Sequence, residues 1–353
     1  MALRWVGKQL PTRYRFAHEY AFALHDELAT LVKRIERERL TSVELTLRPE
    51  HSLVQVSHLA GEELFDWLEV HDYPEVVGQM AFRACVNALL GDSCHFLYEA
   101  LRCSEKGKLT VCFTLLRKPL RENLLYLEYL LYDPNRFVRT FWNHGPQHIA
   151  VETLLARGKG RKIVAGALAR TLHPMLFDPA FLFDLRYDLA QHYSYDPLWT
   201  KATHVITTKK SAATEAKNLN FIFSDQEAHL DQWRHLYGTL PLLLYYMVDV
   251  ATSLLVFMGA KDPISPELVL KRDLGFILWG NDPDRASAAR PGTRRAPMAF
   301  DCPRCRRPIP WDWSRYWAAF EGRRLRCTRC GRSWPLAAFL HTEGAVGTDG
   351  GAC

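Results

Sequence analysis

Residues 226–259 read QEAHLDQWRHLYGTLPLLLYYMVDVATSLLVFMG. The second part, from Leu240 to Gly259, is 20 residues of almost unbroken apolar chain, long enough to span a bilayer. Asp249 stands in its middle, where a carboxylate in lipid would be costly. The polar lead-in has helical period, and a break is expected near Gly238 to Pro241, because proline lacks the N–H that an inner helical turn needs. The stretch therefore reads as a helix that runs into a protein core, with no membrane involved. A helix that is apolar all round is buried in a core, and helical signals running almost throughout residues 61–195 set the class as mainly α.

The remainder fits that class. Residues 13–37 place apolar side chains at helical spacing and end on a charged turn. A helix is expected from Pro119, a residue suited to the first helical position, to Tyr132. Leu120, Leu124, Leu127 and Leu131 line one side of it, and Arg121, Glu122 and Glu128 lie off the stripe. Two segments suggest small β insertions. In residues 42–48 Val43, Leu45 and Leu47 alternate with polar neighbours, and Val54 and Val56 follow after a turn, so a hairpin is expected. Residues 203–225 contain two more β-like runs joined by a polar loop. Residues 1–280 thus read as one large, predominantly helical domain. Residues 281–298 have the composition of a flexible Arg/Pro linker, 299–338 form a small cysteine-bearing module, and 339–353 read as a disordered tail.

Charge and cysteine follow the same division. The 353 residues carry a net charge of +6, and 48% of them are hydrophobic, as in a folded protein. Residues 281–335 hold 13 Arg, no Lys and five acids, while residues 1–280 are neutral overall. Arginine without lysine favours planar, bidentate recognition of phosphate, so nucleic acid is the first partner to consider. Of nine cysteines, Cys85, Cys94, Cys103 and Cys112 lie in apolar stretches and read as small buried hydrophobes, and Cys353 is terminal. The first residues, MALRWVGKQLPTRYRF, have no apolar run of signal-peptide length, which points to a reducing cytoplasm where clustered cysteines bind metal.

The clustered four are Cys302-Pro-Arg-Cys305 and Cys327-Thr-Arg-Cys330, with 21 residues between the pairs. Each Cys-x-x-Cys turn presents two thiolates on one side of a knuckle, and two knuckles complete a tetrahedron for zinc. Gly331 suits the left-handed position that such a turn requires. Residues 299–338 resemble the zinc-ribbon family, and the resemblance implies one structural zinc ion. A closed four-cysteine site has no open position for water, so this metal implies display rather than catalysis. Arg304, Arg306, Arg307, Arg323, Arg324, Arg326, Arg329 and Arg332 surround the knuckles, with Trp311, Trp313, Tyr316, Trp317 and Trp334 among them. Guanidinium groups hold phosphates and aromatic faces stack on unpaired bases, so RNA or single-stranded DNA is the expected ligand, with Trp311 and Trp313 as candidate stacking residues. In so small a module some of these rings would instead cover the metal or dock on the helical domain. A protein partner is the alternative occupant, and a homo-oligomer is compatible with everything here.

Catalytic motifs are sparse. Walker, GxSxG, HExxH and Rossmann patterns do not occur. The basic tract from Arg157 to Lys162 reads as an exposed turn, with phosphate binding as the alternative. His18 and His25 could share a helix face but lack a carboxylate at metal-site spacing, so they read as core or interface histidines. Residues 115–131, LLRKPLRENLLYLEYLL, loosely resemble the central helix of the HEPN family. That resemblance implies a metal-independent endoribonuclease, a toxin or antiviral defence effector, acting through an Arg-x4–6-His pair. Three pairs fit, Arg13 with His18, Arg139 with His144 and Arg186 with His192, a frequency for which composition alone accounts. Arg186 and His192 are the candidate catalytic pair. The preferred reading is a microbial zinc-ribbon recognition or adaptor protein. The endoribonuclease and a protein-binding scaffold subunit stand as alternatives.

Overall fold

Helices carry most of the chain in the computed structural model, which describes residues 9–210, 212–262, 264–282 and 300–340. Nearly all of the expected linker and tail lies outside the described residues. In order the helices are α1 (Arg15–Arg37), α2 (Leu53–Val56), α3 (Glu62–Val70), α4 (Pro74–Glu105), α5 (Leu109–Arg117) and α6 (Leu124–Tyr132). There follow α7 (Pro134–His144), α8 (Val151–Leu155), α9 (Lys159–Leu168), α10 (Pro179–Tyr187), α11 (Tyr195–Thr203), α12 (Gln226–Phe257) and α13 (Pro266–Gly280). The C-terminal module adds strands β1 (Phe300–Asp301) and β2 (Pro308–Ile309), helix α14 (Trp313–Phe320), and strands β3 (Leu325–Arg326) and β4 (Ser333–Trp334). Local chemistry marks many of the starts. Asp133, Asp178, Asp225, Ser265 and Asp312 each accept a first-turn N–H at a helix N-cap, and α4, α7, α10 and α13 begin with proline.

Helix α12 is the axis of the body, packing against α1, α6 and α13. By length and composition it could cross a membrane, yet 89% of its apolar window is buried by the protein itself. The expected break does not occur, and the helix runs unbroken through Pro241. Proline leaves the carbonyl four residues back, that of Tyr237, without its helical donor. The indole Nε1 of Trp279 donates to that oxygen at 2.9 Å. Asp249 is fully buried, and its two oxygens accept from the backbone N–H of His173 at 3.1 Å and from His173 Nδ1 at 3.0 Å.

The segment expected to start at Pro119 starts earlier. Helix α5 continues through a π-helical stretch, Lys118–Asn123, directly into α6, so Pro119 lies inside a longer helix rather than at its first position. The wider π turn accommodates a proline within the helix. Arg121 and Glu128, read as lying off the apolar stripe, are both buried. Arg121 Nε meets Asp196 Oδ1 at 2.8 Å, and Glu128 Oε1 accepts from Arg186 at 2.6 Å.

Among the described residues sheet is confined to the C-terminal module, where β1 pairs antiparallel with β2 and β3 with β4. The hairpin expected at 42–56 is absent. Residues 42–48 carry no ladder, and Leu53–Val56 is a single helical turn closed by a Ser52/Gln55 capping box. Residues 204–224 form turns without a strand among the described residues. Alternation in these runs was too short to signify a sheet: Leu53, Val54, Ile206 and Phe223 simply stay exposed, with no partner strand to satisfy the backbone.

Replacing Trp279 with Phe would keep ring bulk and strand the Tyr237 carbonyl, and should lower unfolding free energy by about 1–3 kcal/mol in urea denaturation. His173 gives a pH test. Its hydrogen bond to Asp249 outweighs its burial and raises its pKa above the ordinary 6.5. The folded value exceeds the unfolded one, so the pair's contribution is complete below the unfolded pKa and is lost as pH rises through the folded one. The stability gap between the native protein and His173→Gln should therefore be wider in acid than in alkali. A gap that stays constant from about pH 5 to about pH 9 would refute this coupling.

Candidate metal centre

The two cysteine knuckles fold alike because their backbones bond alike. In the first, Cys302 N–H donates to Arg307 O at 2.9 Å and Arg306 N–H to Cys302 O at 2.9 Å. In the second, Cys327 N–H donates to Arg332 O at 2.8 Å and Gly331 N–H to Cys327 O at 3.0 Å. Each turn needs a left-handed residue just after its second cysteine. Gly331 fills that place at φ 71°, and Arg306 fills it at φ 52°, where a side chain costs more than glycine would.

This geometry gathers the four sulfurs within 4.8 Å of one another, with Cys302 to Cys330 at 3.6 Å and Cys305 to Cys327 at 3.8 Å. Burial pushes the Cys302 thiol up, but the N–H groups of Cys305 and Arg304 outweigh it and bring it down to about 6. The N–H of Cys330, followed by that of Arg329, lowers Cys327 likewise. For Cys305 the N–H of Arg307 pulls down, while burial and the facing thiols Cys302 and Cys327 push it up to about 11. Crowded thiolates resist one another, and a cation at their centre would relieve that repulsion. Four cysteines are thus placed to bind one metal ion.

A small core surrounds the knuckles. Phe300 stacks on Tyr316 with ring centroids 5.6 Å apart, and Tyr316 donates through its hydroxyl to Ile309 O at 3.0 Å. Phe339, the first residue assigned to the tail, is buried and packs on Phe300 at 4.8 Å. Helix α14 then joins this module to the body. Phe16 of α1 meets Trp313, Trp317 and Phe320 edge-on at 5.4, 5.5 and 5.6 Å. Gly275 of α13 lets them close, since a Cβ there would clash with the rings of Tyr20 and Phe320.

The residues read as nucleic-acid contacts divide. Trp313 donates its Nε1 to Leu278 O at 3.0 Å and packs edge-on with Phe16, so it docks the module on the body, and it is half-buried. Trp311 leans on Tyr316 at 4.7 Å and is half-buried. Arg304, Arg306, Arg307, Arg323, Arg324, Arg326, Arg329 and Arg332 are all exposed. Among the described residues only Arg323 of these eight has an ion pair, at 3.6 Å to Glu321, and Arg324 donates to Ser333 O.

Arg186 and His192 are not brought together as a surface pair. The Arg186 guanidinium is fully buried against Glu128, with further bonds to the carbonyls of Leu182 and Leu120, while His192 is exposed. A guanidinium so enclosed cannot reach a phosphate, and the catalytic expectation for this pair is withdrawn. His18 is a core side chain between Tyr237 and Glu105 at 2.6 and 2.9 Å, and His25 bonds Cys94 O at 3.1 Å. Arg157, Lys159, Arg161 and Lys162 are exposed, and Arg161 pairs with Asp184 at 2.6 Å. Burial pushes the thiols of Cys85, Cys94 and Cys112 up, Cys94 to about 11, so these are structural.

Neither a family model, a curated protein nor a solved structure matches this chain. The HEPN resemblance gains no support from them.

The purified protein should contain one metal ion per chain by elemental analysis, and Cys327→Ser should abolish it. Because Trp313 and Trp317 sit where α14 meets the body, chelation should also shift tryptophan fluorescence.

Proposed function

We propose that the module is a zinc ribbon and that it binds single-stranded nucleic acid, making the chain a recognition or adaptor protein. Four thiolates in a closed tetrahedral set favour zinc, and such a zinc is structural. The observation that carries the reading is the basic surface of the module: eight exposed arginines on and beside two adjoining knuckles, of which only Arg323 has an ion pair among the described residues. Arginine forks take phosphate oxygens bidentately, and the exposed part of Trp311 offers aromatic surface for a base. The ribbon is anchored to the helical body, so a bound strand would be held against the body rather than on a free tether. Metal binding requires reduced thiols, which supports a cytoplasmic location.

Arg326, Arg329 and Arg332 are exposed and make no ion pair among the described residues. Replacing all three with Ala should weaken binding to a single-stranded oligonucleotide and flatten the log–log salt dependence by about 2, near 0.7 per lost phosphate contact. Unchanged affinity and slope would exclude the arginine face as the site, and the ribbon would then be a protein-binding module.

A further inference from the structure

The two knuckles sit in hairpins that correspond position by position. Phe300 pairs with Ile309 and Asp301 with Pro308 in the first, as Leu325 pairs with Trp334 and Arg326 with Ser333 in the second. The turn hydrogen bonds correspond too, from Cys302 and Arg306 in one and from Cys327 and Gly331 in the other. Arg304 therefore matches Arg329 and Arg307 matches Arg332, and all four are exposed. Two positions break the correspondence. Where the second hairpin has Arg326 the first has Asp301, and where the second has Gly331 the first has Arg306.

That exchange is unfavourable for the backbone. Gly331 takes its left-handed conformation freely at φ 71°, whereas Arg306 takes it at φ 52° against the steric preference of any residue with a Cβ. No contact within the protein offsets the strain, for the Arg306 side chain is exposed and its guanidinium has neither hydrogen bond nor ion pair among the described residues. The second hairpin supplies charge at the same place from another position: Nη2 of Arg326 stands 4.0 Å from where a Cβ on Gly331 would be. Each turn thus carries three guanidinium groups, Arg304, Arg306 and Arg307 on the first and Arg326, Arg329 and Arg332 on the second. The acids nearby leave them free. Asp301 makes no ion pair among the described residues, Asp312 caps α14, and Glu321 lies beside Arg323, outside both hairpins.

Strain kept at an exposed residue with no partner inside the protein points to a partner outside it. Resting on the nucleic-acid binding proposed for the module, we propose that Arg306 is a phosphate-contact residue and that the bound strand crosses both turns, meeting three arginines on each. The ligand is then a strand read through its backbone, and the first turn is held in a strained form for the sake of that contact.

Fluorescence anisotropy of a labelled single-stranded oligonucleotide, titrated with the full-length, metal-loaded protein at several salt concentrations, tests this alongside the rate of metal release to a chelator. Arg306→Gly should weaken binding and flatten the log–log salt dependence by about 0.7, one phosphate contact, while holding the metal at least as firmly as the native protein. Arg306→Lys should keep the native slope, since a charge at that place is enough to release the counterion. Arg304→Ala, Arg306→Gly and Arg307→Ala together should flatten the slope by about 2, the same change expected for the three substitutions on the second turn. Unchanged affinity and slope in Arg306→Gly would overturn the proposal. So would a loss of binding that comes with loss of the metal, which marks a structural residue. If the second-turn variant loses binding and the first-turn variant does not, nucleic-acid binding stands and the path across both turns falls. If the native protein binds no single-stranded oligonucleotide, both fall.

Discussion

Enclosing α12 is the constraint on which the rest of this structure depends. A helix that is apolar all round is stable only when covered, and every polar group carried into its surroundings must find a partner there. The carbonyl left free by Pro241 takes its donor from Trp279 of α13, and the Asp249 carboxylate takes two from His173. Thr239 shares its hydroxyl with that of Tyr195 at 2.9 Å. Each interaction ties a different segment to the same axis, so the polar exceptions of α12 specify which elements lie beside it.

The same logic extends outward through buried ion pairs. Glu128 with Arg186 links α6 to α10, and Glu27 with Arg272 links α1 to α13. Such pairs contribute little net stability compared with apolar residues of equal size, but losing one partner strands a charge. They therefore act as constraints on register among helices whose apolar faces would otherwise pack in several ways. Both pairs leave atoms without a hydrogen-bond partner, Glu128 Oε2 in the first and Arg272 Nε and Nη2 in the second.

The ribbon is a small module with a shared core. Its own interior is a few rings around the knuckles, and its helix α14 completes the hydrophobic surface of α1 and α13 through Trp313, Trp317 and Phe320. A metal ion held by the two knuckles would thus support a surface that the body also uses. Among the described residues of the module no acid is buried, so its arginines stay outside.

Much of this was legible in the residues alone. The mainly α class followed from α12, whose central Asp249 argued for a protein interior, and the metal centre followed from two Cys-x-x-Cys turns, because those signals are local. The errors came where a local pattern had more than one tertiary outcome. Pro241 and Pro119 do not end their helices, since an indole from α13 and a π turn accommodate them. Alternation at 42–56 became a turn and a short helix, because no second strand was at hand. Composition could not tell Trp313, a docking residue, from a stacking one, nor show that Arg186 faces Glu128 instead of solvent. The pairing of Glu27 with Arg272 had no signal in the chain order, for the two residues are 245 positions apart. Spacing along the chain fixes how a turn or a helix face is built; which charges meet, and which stay outside, depends on contacts that only folding creates.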